Sequence, residues 1–333
     1  MKTIIYIIPY FGQFPDNFRL WLKSCSYNSS INWLIITDDK TNYNYPSNIK
    51  VIHTTFAKIQ HRIQKMFDFQ IELSTPYRLC DYKVAYGEIF KEEIKDFDFW
   101  GYCDIDMLWG DIRHFFTNEL LNKYDRIGYL GHSTIYRNIP SINSLYRKEL
   151  DGKLPYKEIF STPGKINIAF DEIYINLLCD KYGIKTCTDL IFADLIPWSP
   201  KFILSYSRGE QMAKNRHRIF TWENGHLYSV SFYNKEICKD EFMYIHFLKR
   251  KMTIKNGALN AKRLLIVPNI IRAYNKEITI SLIKRNSSRI ILSYYFNLFI
   301  QHKNKITPRL IFDSIIKRFK ARKKFKNKYK NIV

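Results

Sequence analysis

The sequence has 333 residues, 46% of them hydrophobic and 25% charged, which excludes an intrinsically disordered chain and is typical of a folded domain. The net charge of +22 is uneven: residues 250–333 hold 22 Lys and Arg against two acidic residues, whereas residues 1–249 hold 31 against 29. A near-neutral first part argues against a nucleic-acid-binding domain, whose basic residues would be spread over the folded surface.

The chain begins with a predicted buried strand. Residues 3–9 (TIIYIIP) form a continuous β-branched run, typical of a strand that is covered on both faces. We interpret the run as a strand and not as a secretion signal, because it is short, is interrupted by Pro9 and has no small-residue cleavage site after it. A helix over residues 15–25 and strands over 32–39 and 48–56 follow, an order that favours an α/β sheet with right-handed crossovers.

The rest of the first 252 residues continues the alternation of helices and strands. Apolar residues at helical spacing predict one helix over residues 79–97, which runs directly into a strand over 97–106. Further patterns predict a strand at 125–131, a helix at 167–188 that ends near Gly183, a hairpin at 217–235 with an Asn224-Gly225 turn, and a last strand at 241–252.

The six cysteines are scattered, without the spacing of a zinc site or a redox motif. We interpret them as reduced thiols, which predicts a cytoplasmic protein. No uncharged stretch reaches the roughly 18–20 residues that are needed to cross a bilayer.

Asp104 and Asp106 stand one residue apart directly after the aromatic strand. Carboxylates beside a buried strand cost free energy unless their charge is compensated. In open α/β sheets, ligands bind beyond the carboxyl ends of the strands, and paired oxygen ligands suit Mn²⁺ or Mg²⁺. On these residues alone, a solvated turn remains the alternative. Asp111 we interpret as a structural turn or helix cap.

Several motifs in this order resemble those of nucleotide-sugar glycosyltransferases with the GT-A fold, of the type that builds bacterial capsule and O-antigen polysaccharides. The segments that carry the resemblance are YIIPYFG at 6–12, IITDD at 35–39, DYKVAYGEIF at 81–90, the Asp104–Asp106 strand and YIHFLKRK at 244–251. It implies a Rossmann-like, mixed, mostly parallel central sheet flanked by helices over residues 1–252, with a donor half at about 1–112 and an acceptor half at about 113–252.

The resemblance also implies roles for individual residues. The implied metal ligands are Asp104, Asp106 and His246, which would hold Mn²⁺ or Mg²⁺. The implied donor-binding residues are Pro9, Tyr10, Phe11, Asp38, Asp39, Lys83, Asp104, Lys249 and Arg250. For these residues the plain alternatives stay open: core packing for the aromatic rings, a turn for the two consecutive aspartates, a buried histidine, and solvated basic side chains.

An attacking hydroxyl must lose its proton if transfer inverts the sugar's configuration. Asp171 and Glu172, at the start of a predicted helix, are candidates for this catalytic base, and we favour Asp171. Both could instead complement the helix dipole. The polar loop that contains His132, Ser133 and Thr134 is interpreted as the acceptor-binding side.

These features predict a metal-dependent enzyme that transfers a hexose, with galactose as the first guess, from a UDP-sugar to a lipid-linked or surface glycan. One alternative is a nucleotidyltransferase, although PYFGQFPDN at 9–17 is a poor match for a Gly-rich, basic phosphate loop. Another is a basic nucleic-acid- or membrane-binding protein without catalysis.

Residues 253–333 are interpreted as a basic, partly amphipathic helical appendage. Its segment 317–330 (KRFKARKKFKNKYK) holds nine basic residues in 14. Interleaved Phe and Tyr favour contact with an anionic membrane surface, here the inner face of a bacterial cytoplasmic membrane. A disordered solubilising tail and phosphate contacts to nucleic acid are the alternatives, and nucleic acid is the least favoured of the three.

Overall fold

A computed structural model describes residues 1–164, 167–197, 199–206, 217–248 and 250–287. Over these residues the chain forms an α/β fold with three sheets, of seven, six and three strands. The strands are β1 Ile4–Tyr10, β2 Ile31–Thr37, β3 Ile49–His53, β4 Phe99–Cys103, β5 Met107–Trp109, β6 Arg126–Leu130, β7 Ser133–Arg137, β8 Thr186–Cys187, β9 Phe192–Asp194, β10 Arg218–Glu223, β11 His226–Tyr233, β12 Glu236–Phe242, β13 Tyr244–His246, β14 Thr253–Ile254, β15 Arg263–Val267 and β16 Ile270–Ala273.

The helices of the described residues are short. The α-helices are α1 Phe18–Ser26, α2 Phe56–Gln64, α3 Leu79–Tyr82, α4 Tyr86–Ile89, α5 Lys91–Ile94, α6 Ile112–Phe115, α7 Asn118–Lys123, α8 Pro140–Asn143, α9 Pro155–Ser161, α10 Ile175–Lys181 and α11 Ile280–Asn286. Three 3₁₀ turns (Pro76–Arg78, Lys83–Ala85 and Leu145–Arg147) and one π-helical turn (Phe170–Tyr174) accompany them. Among these helices, none combines the length and the hydrophobicity needed to cross a lipid bilayer.

The seven-stranded sheet has the order β3-β2-β1-β4-β7-β6-β8, and only β7 runs against its neighbours. Side chains of β1 alternate between the two faces. Ile5 and Ile7 pack in the core with the helices of residues 56–94, whereas Ile4 and Tyr6 pack in the core with α1. The β-branched runs form interior strands because both faces of the sheet are covered, and the mixed, mostly parallel α/β sheet is therefore confirmed.

The predicted helix over residues 79–97 is broken into α3, a 3₁₀ turn, α4 and α5. The prediction of one continuous helix was wrong, because this segment lies tightly against β4. A Cβ atom on Gly87 would lie 2.6 Å from the Trp100 ring, so the backbone passes close to the indole. The interruption places Lys83 in the 3₁₀ turn, where it is buried.

The predicted helix over residues 167–188 is also interrupted. It starts with the π-helical turn, continues as α10 and stops before Gly183, which has a φ of +64°. A positive φ is what glycine supplies after a helix end. The stop near Gly183 is thus confirmed, but the last residues of the prediction form β8 instead.

The six-stranded sheet, in the order β12-β11-β10-β15-β16-β14, corrects the predicted boundary at residue 252. Strand β15 pairs with β10, so residues 253–273 add strands to a sheet that begins at residue 218. The Asn224-Gly225 hairpin is confirmed, with both turn residues at positive φ. Only α11 of the predicted helical appendage falls in the described residues, and the basic segment at 317–330 lies outside them.

The predicted last strand at 241–252 is split between two sheets. Strand β12 ends at Phe242, and β13 begins at Tyr244 in the three-stranded sheet, of order β5-β13-β9. Asp111 caps α6, since its carboxylate accepts hydrogen bonds from the backbone N–H groups of Arg113 (3.0 Å) and His114 (3.2 Å), which confirms the structural interpretation.

Candidate functional site

Three chain segments that are distant in sequence meet at the carboxyl end of β4. Asp104 and Asp106 lie in the turn between β4 and β5, and His246 is the last residue of β13. Met107, next to Asp106, pairs with His246 across β5 and β13, and Asp194 at the end of β9 pairs with His246 from the other side. The three-stranded sheet therefore fixes His246 between Asp194 at the end of β9 and Asp106 in the turn just before β5.

Asp104, Asp106 and His246 form a set of possible metal ligands. The Nε2 atom of His246 lies 3.3 Å from Oδ1 of Asp106 and 3.9 Å from Oδ2 of Asp104. One ligand atom from each of the three residues lies within 4.8 Å of the other two. The two carboxylates are about one-third exposed (35% and 32%), whereas His246 is 3% exposed, so the cluster is open to solvent on its acidic side. Two oxygens and one imidazole nitrogen suit Mn²⁺ or Mg²⁺.

Asp194 orients the imidazole from behind. Its Oδ1 atom lies 2.8 Å from Nδ1 of His246, and the carboxylate is buried. A carboxylate that accepts from one ring nitrogen directs the other nitrogen toward a cation, which supports the fit of a metal at this cluster. Burial would lower the pKa of His246, but contacts with Asp106 and Asp194 and the nearby charge of Asp104 raise the pKa to about 10. Without a cation, the ring is therefore protonated and offsets the acidic charge.

The sequence interpretation missed Asp194. The feature that could have identified Asp194 is its position as a carboxylate within the apolar run LIFADLI at 190–196. A buried carboxylate in such a run needs a partner in the fold.

Lys83 connects the acidic pair to Asp171. Its Nζ atom lies 2.8 Å from Oδ1 of Asp104 and 3.6 Å from Oδ2 of Asp171, and it donates to the carbonyl oxygen of Gly131 at 2.8 Å. Burial lowers the pKa of Lys83, but the charges of Asp104 and Asp171 outweigh that effect and raise the pKa well above its usual range. The ammonium group remains charged and lies between Asp104 and Asp171, so Lys83 is not the solvated helix residue of the alternative interpretation.

The two predicted catalytic acids have different environments. Asp171 is buried, and a Cβ atom on Gly131 would lie 2.5 Å from its Oδ2 atom, so the chain at residue 131 closes over this carboxylate. Glu172 is exposed and accepts a hydrogen bond from the backbone N–H of Gly131 at 3.2 Å. Burial raises the pKa of Asp171 to about 7, and the charge of Lys83 opposes that rise.

Asp171→Asn is expected to stabilise the protein increasingly as the pH rises from about 4 to 7. The raised pKa means that the folded state keeps a proton which the unfolded state loses in this range, so ionisation of Asp171 costs stability as the pH rises. Asn does not titrate and avoids this cost. Urea unfolding of both proteins from pH 4 to 8 measures the difference, and a difference that is constant with pH would contradict the assignment.

The residues interpreted as the acceptor side are buried. Ser133 and Thr134 begin β7, and their hydroxyl groups contact Tyr6 (3.4 Å) and the carbonyl oxygen of Leu130 (3.0 Å). These contacts give both residues an internal role instead of a surface for an acceptor. His132 lies against the His246 ring, with ring centroids 4.6 Å apart, and burial lowers its pKa to about 3.

The predicted nucleotide-facing residues lie at the same edge of the sheet as Asp104, because β1, β2 and β4 are parallel. Tyr10 is partly exposed, and its ring stacks on Phe14 with ring centroids 4.6 Å apart. Burial and the charges of Asp106 and Asp39 raise its pKa. Phe11 packs against Phe56 on the other side of β1. Pro9 is a half-buried residue within β1.

The two consecutive aspartates hold the loop after β1. Asp38 accepts from the backbone N–H of Gly12 at 2.7 Å and remains exposed. Burial raises the pKa of Asp39, but hydrogen bonds from Thr41, Phe14 and Tyr43 outweigh burial and lower the pKa to about 2. Asp39 therefore has the structural role in a turn that was the alternative interpretation. The carboxylate of Asp38 is the one that remains open to solvent.

Arg250 packs within the fold. Its guanidinium group is buried and donates to Asn269 at 2.7 Å, and it lies over the Phe202 ring. The predicted donor-binding role is therefore corrected, since a basic run cannot indicate which of its members folds inward. Lys249 lies outside the described residues.

Comparison with protein families matches residues 6–275 to DUF6625, a family of unknown function. The match begins within β1 and ends just after β16, so it includes the site and the strands beyond residue 252. No curated protein matches the sequence. Because the match covers most of the chain, this protein belongs to the DUF6625 family.

Proposed function

We propose that this protein is a metal-dependent glycosyltransferase of GT-A type that moves a hexose from a UDP-sugar to a glycan acceptor. The observation that carries the proposal is the cluster of Asp104, Asp106 and His246 at the carboxyl end of β4. Two partly exposed carboxylates and one oriented imidazole suit a divalent cation that also contacts a diphosphate. The position agrees with ligand binding beyond the strand ends of an open α/β sheet.

Each neighbouring group has a task in this proposal. Asp104, Asp106 and His246 would hold Mn²⁺ or Mg²⁺, which offsets the negative charge that develops on a leaving diphosphate. Lys83 keeps Asp104 in position and supplies a fixed positive charge behind it. Tyr10 and the exposed Asp38 lie at the same sheet edge, where a ring can stack on a nucleobase and a carboxylate can accept from a base or ribose.

The acceptor side includes the two acids of the π-helical turn. Inverting transfer needs a base within reach of the acceptor hydroxyl. Asp171 is buried, whereas Glu172 is exposed next to it. We propose that Glu172 faces the acceptor hydroxyl, and that Asp171 and Lys83 hold the charge balance behind it.

The experiment that tests this function is a donor screen on the full chain. UDP-galactose, UDP-glucose, GDP-mannose and CMP-sialic acid are each mixed with protein and Mn²⁺ or EDTA, and sugar release and the unfolding temperature are measured. We expect sugar release and a raised unfolding temperature with a UDP-sugar only when Mn²⁺ is present. No response to any donor would contradict the proposal. A parallel assay with UTP and CTP measures pyrophosphate, and its release would favour a nucleotidyltransferase.

The acceptor and the location are proposed from the sequence alone. A lipid-linked glycan and the inner face of a bacterial membrane agree with the basic segment at 317–330. Deleting residues 310–333 is expected to reduce sedimentation with anionic vesicles while donor hydrolysis is retained. Unchanged sedimentation, or equal binding to neutral vesicles, would contradict this role.

A further inference from the structure

A second group of ligand atoms lies behind the acidic pair. His132, Asp194 and His246 each offer one ligand atom, and these atoms lie within 4.8 Å of one another. All three side chains are more than nine-tenths buried, with exposed fractions of 6%, 5% and 3%. His132 comes from the loop between β6 and β7, so three different segments again converge on one point.

His132 has an unused ring nitrogen in this cluster. Its Nδ1 atom is paired with the Tyr244 hydroxyl group at 2.9 Å, which fixes the ring. Its Nε2 atom is buried and has no hydrogen-bond partner among the residues that the structure describes. A buried polar atom without a partner is destabilising, so such an atom indicates an occupant that satisfies it. His246 and Asp194 each place one ligand atom within 4.8 Å of a ring nitrogen of His132, and an imidazole and a carboxylate are both metal ligands.

We propose that His132, Asp194 and His246 form a second cation site, distinct from the acidic pair, that binds ions which prefer imidazole, such as Zn²⁺ or Co²⁺. Two imidazoles and one carboxylate are a favourable set for these ions, whereas Mg²⁺ prefers oxygen ligands. The inference goes beyond sugar transfer and does not depend on it.

The second site shares His246 with the first cluster, which gives it a regulatory consequence. An ion held by His132 and Asp194 brings positive charge next to the imidazole on which the Asp104–Asp106 cluster depends. Zn²⁺ in the second site should therefore weaken Mn²⁺ binding in the first, and Mn²⁺ should weaken Zn²⁺ binding by the same factor, because coupling between binding sites is reciprocal.

The test uses two metal titrations of the full chain. Binding of Co²⁺ is measured by the visible absorption bands of the protein-bound ion, and binding of Mn²⁺ is measured by electron paramagnetic resonance. His132→Gln is expected to lower Co²⁺ affinity at least about tenfold and to change Mn²⁺ affinity by less than about threefold. Asp106→Asn is expected to show the reverse pattern. His61→Gln, on the exposed face of α2, is the matched control and should change neither affinity.

Wild-type Co²⁺ affinity in the His132→Gln protein would overturn the proposal, and so would an equal loss of both metals. Thermal unfolding of each variant identifies a general loss of structure, and His132→Asn serves if the Gln variant does not fold. In the wild-type protein, Zn²⁺ should remove the Co²⁺ bands at concentrations where Mg²⁺ does not. Equal displacement by Mg²⁺ would also overturn the second site. Donor hydrolysis is not part of this test, so a failed donor screen does not affect its result.

Discussion

Asp106→Asn is expected to lower Mn²⁺ affinity about 100-fold or more and to remove the metal-dependent part of donor hydrolysis. The substitution preserves the shape of the side chain but removes one of the two carboxylates that face Nε2 of His246. An amide oxygen is a weaker ligand for a hard cation than a carboxylate. Electron paramagnetic resonance of Mn²⁺ measures the affinity, and UDP release measures hydrolysis.

The same substitution should lower the free energy of unfolding by about 1 kcal/mol, because it removes one partner of the buried His246 ring while Asp194 remains. Asp96→Asn is the matched control, since Asp96 is an exposed aspartate just before β4. It should leave both Mn²⁺ affinity and stability unchanged. Retention of wild-type Mn²⁺ affinity by the Asp106 variant would remove this residue from the metal site.

Lys83→Met is expected to destabilise the protein by about 3 kcal/mol. The ammonium group is the cation that contacts both Asp104 and Asp171, and Asp171 is buried. Removing one partner of a buried ion pair leaves an uncompensated charge and costs about 3–5 kcal/mol. We place the expectation at the low end because Asp104 is partly exposed to solvent and Asp171, with a pKa of about 7, can take up a proton. Urea unfolding at pH 7 measures the change.

Two further variants separate charge from packing. Lys91→Met replaces a lysine whose side chain is 72% exposed and should change stability by less than about 0.5 kcal/mol. In the double variant Lys83→Met with Asp104→Asn, one orphaned charge is also removed, so part of the lost stability should return. A Lys83 variant as stable as the Lys91 variant would show that the ion pairs contribute nothing.

The sequence was most informative about the central sheet. Uninterrupted β-branched runs predict β1 and β2, because interior strands of a parallel sheet are apolar on both faces. Asp104 and Asp106 could be placed at the end of β4 because they directly follow a similar apolar run. The breaks in the helix over residues 79–97 were not predictable, because apolar residues recur at helical spacing through the whole segment.

The surroundings of His246 show why other parts of the site were missed. Asp194 reaches His246 only because β9 and β13 pair, and that pairing joins residues 52 positions apart. Arg250 is an example of a predicted ligand-binding residue that has a structural role instead. Its position in the basic run KRK predicts exposure to solvent or contact with phosphate, whereas the fold buries it against Asn269. Local patterns identified the chemistry of these side chains but not their neighbours.

The three-stranded sheet has a consequence for the order of events during synthesis. Asp104 and Asp106 are made about 140 residues before His246, which completes their cluster. At roughly 5–20 residues per second, the acidic pair waits about 7–30 seconds for its imidazole. Strand β13 must then enter between β5 and β9, which are already present in the chain. A nascent chain therefore cannot assemble either set of ligands until most of the family-matched region has been translated.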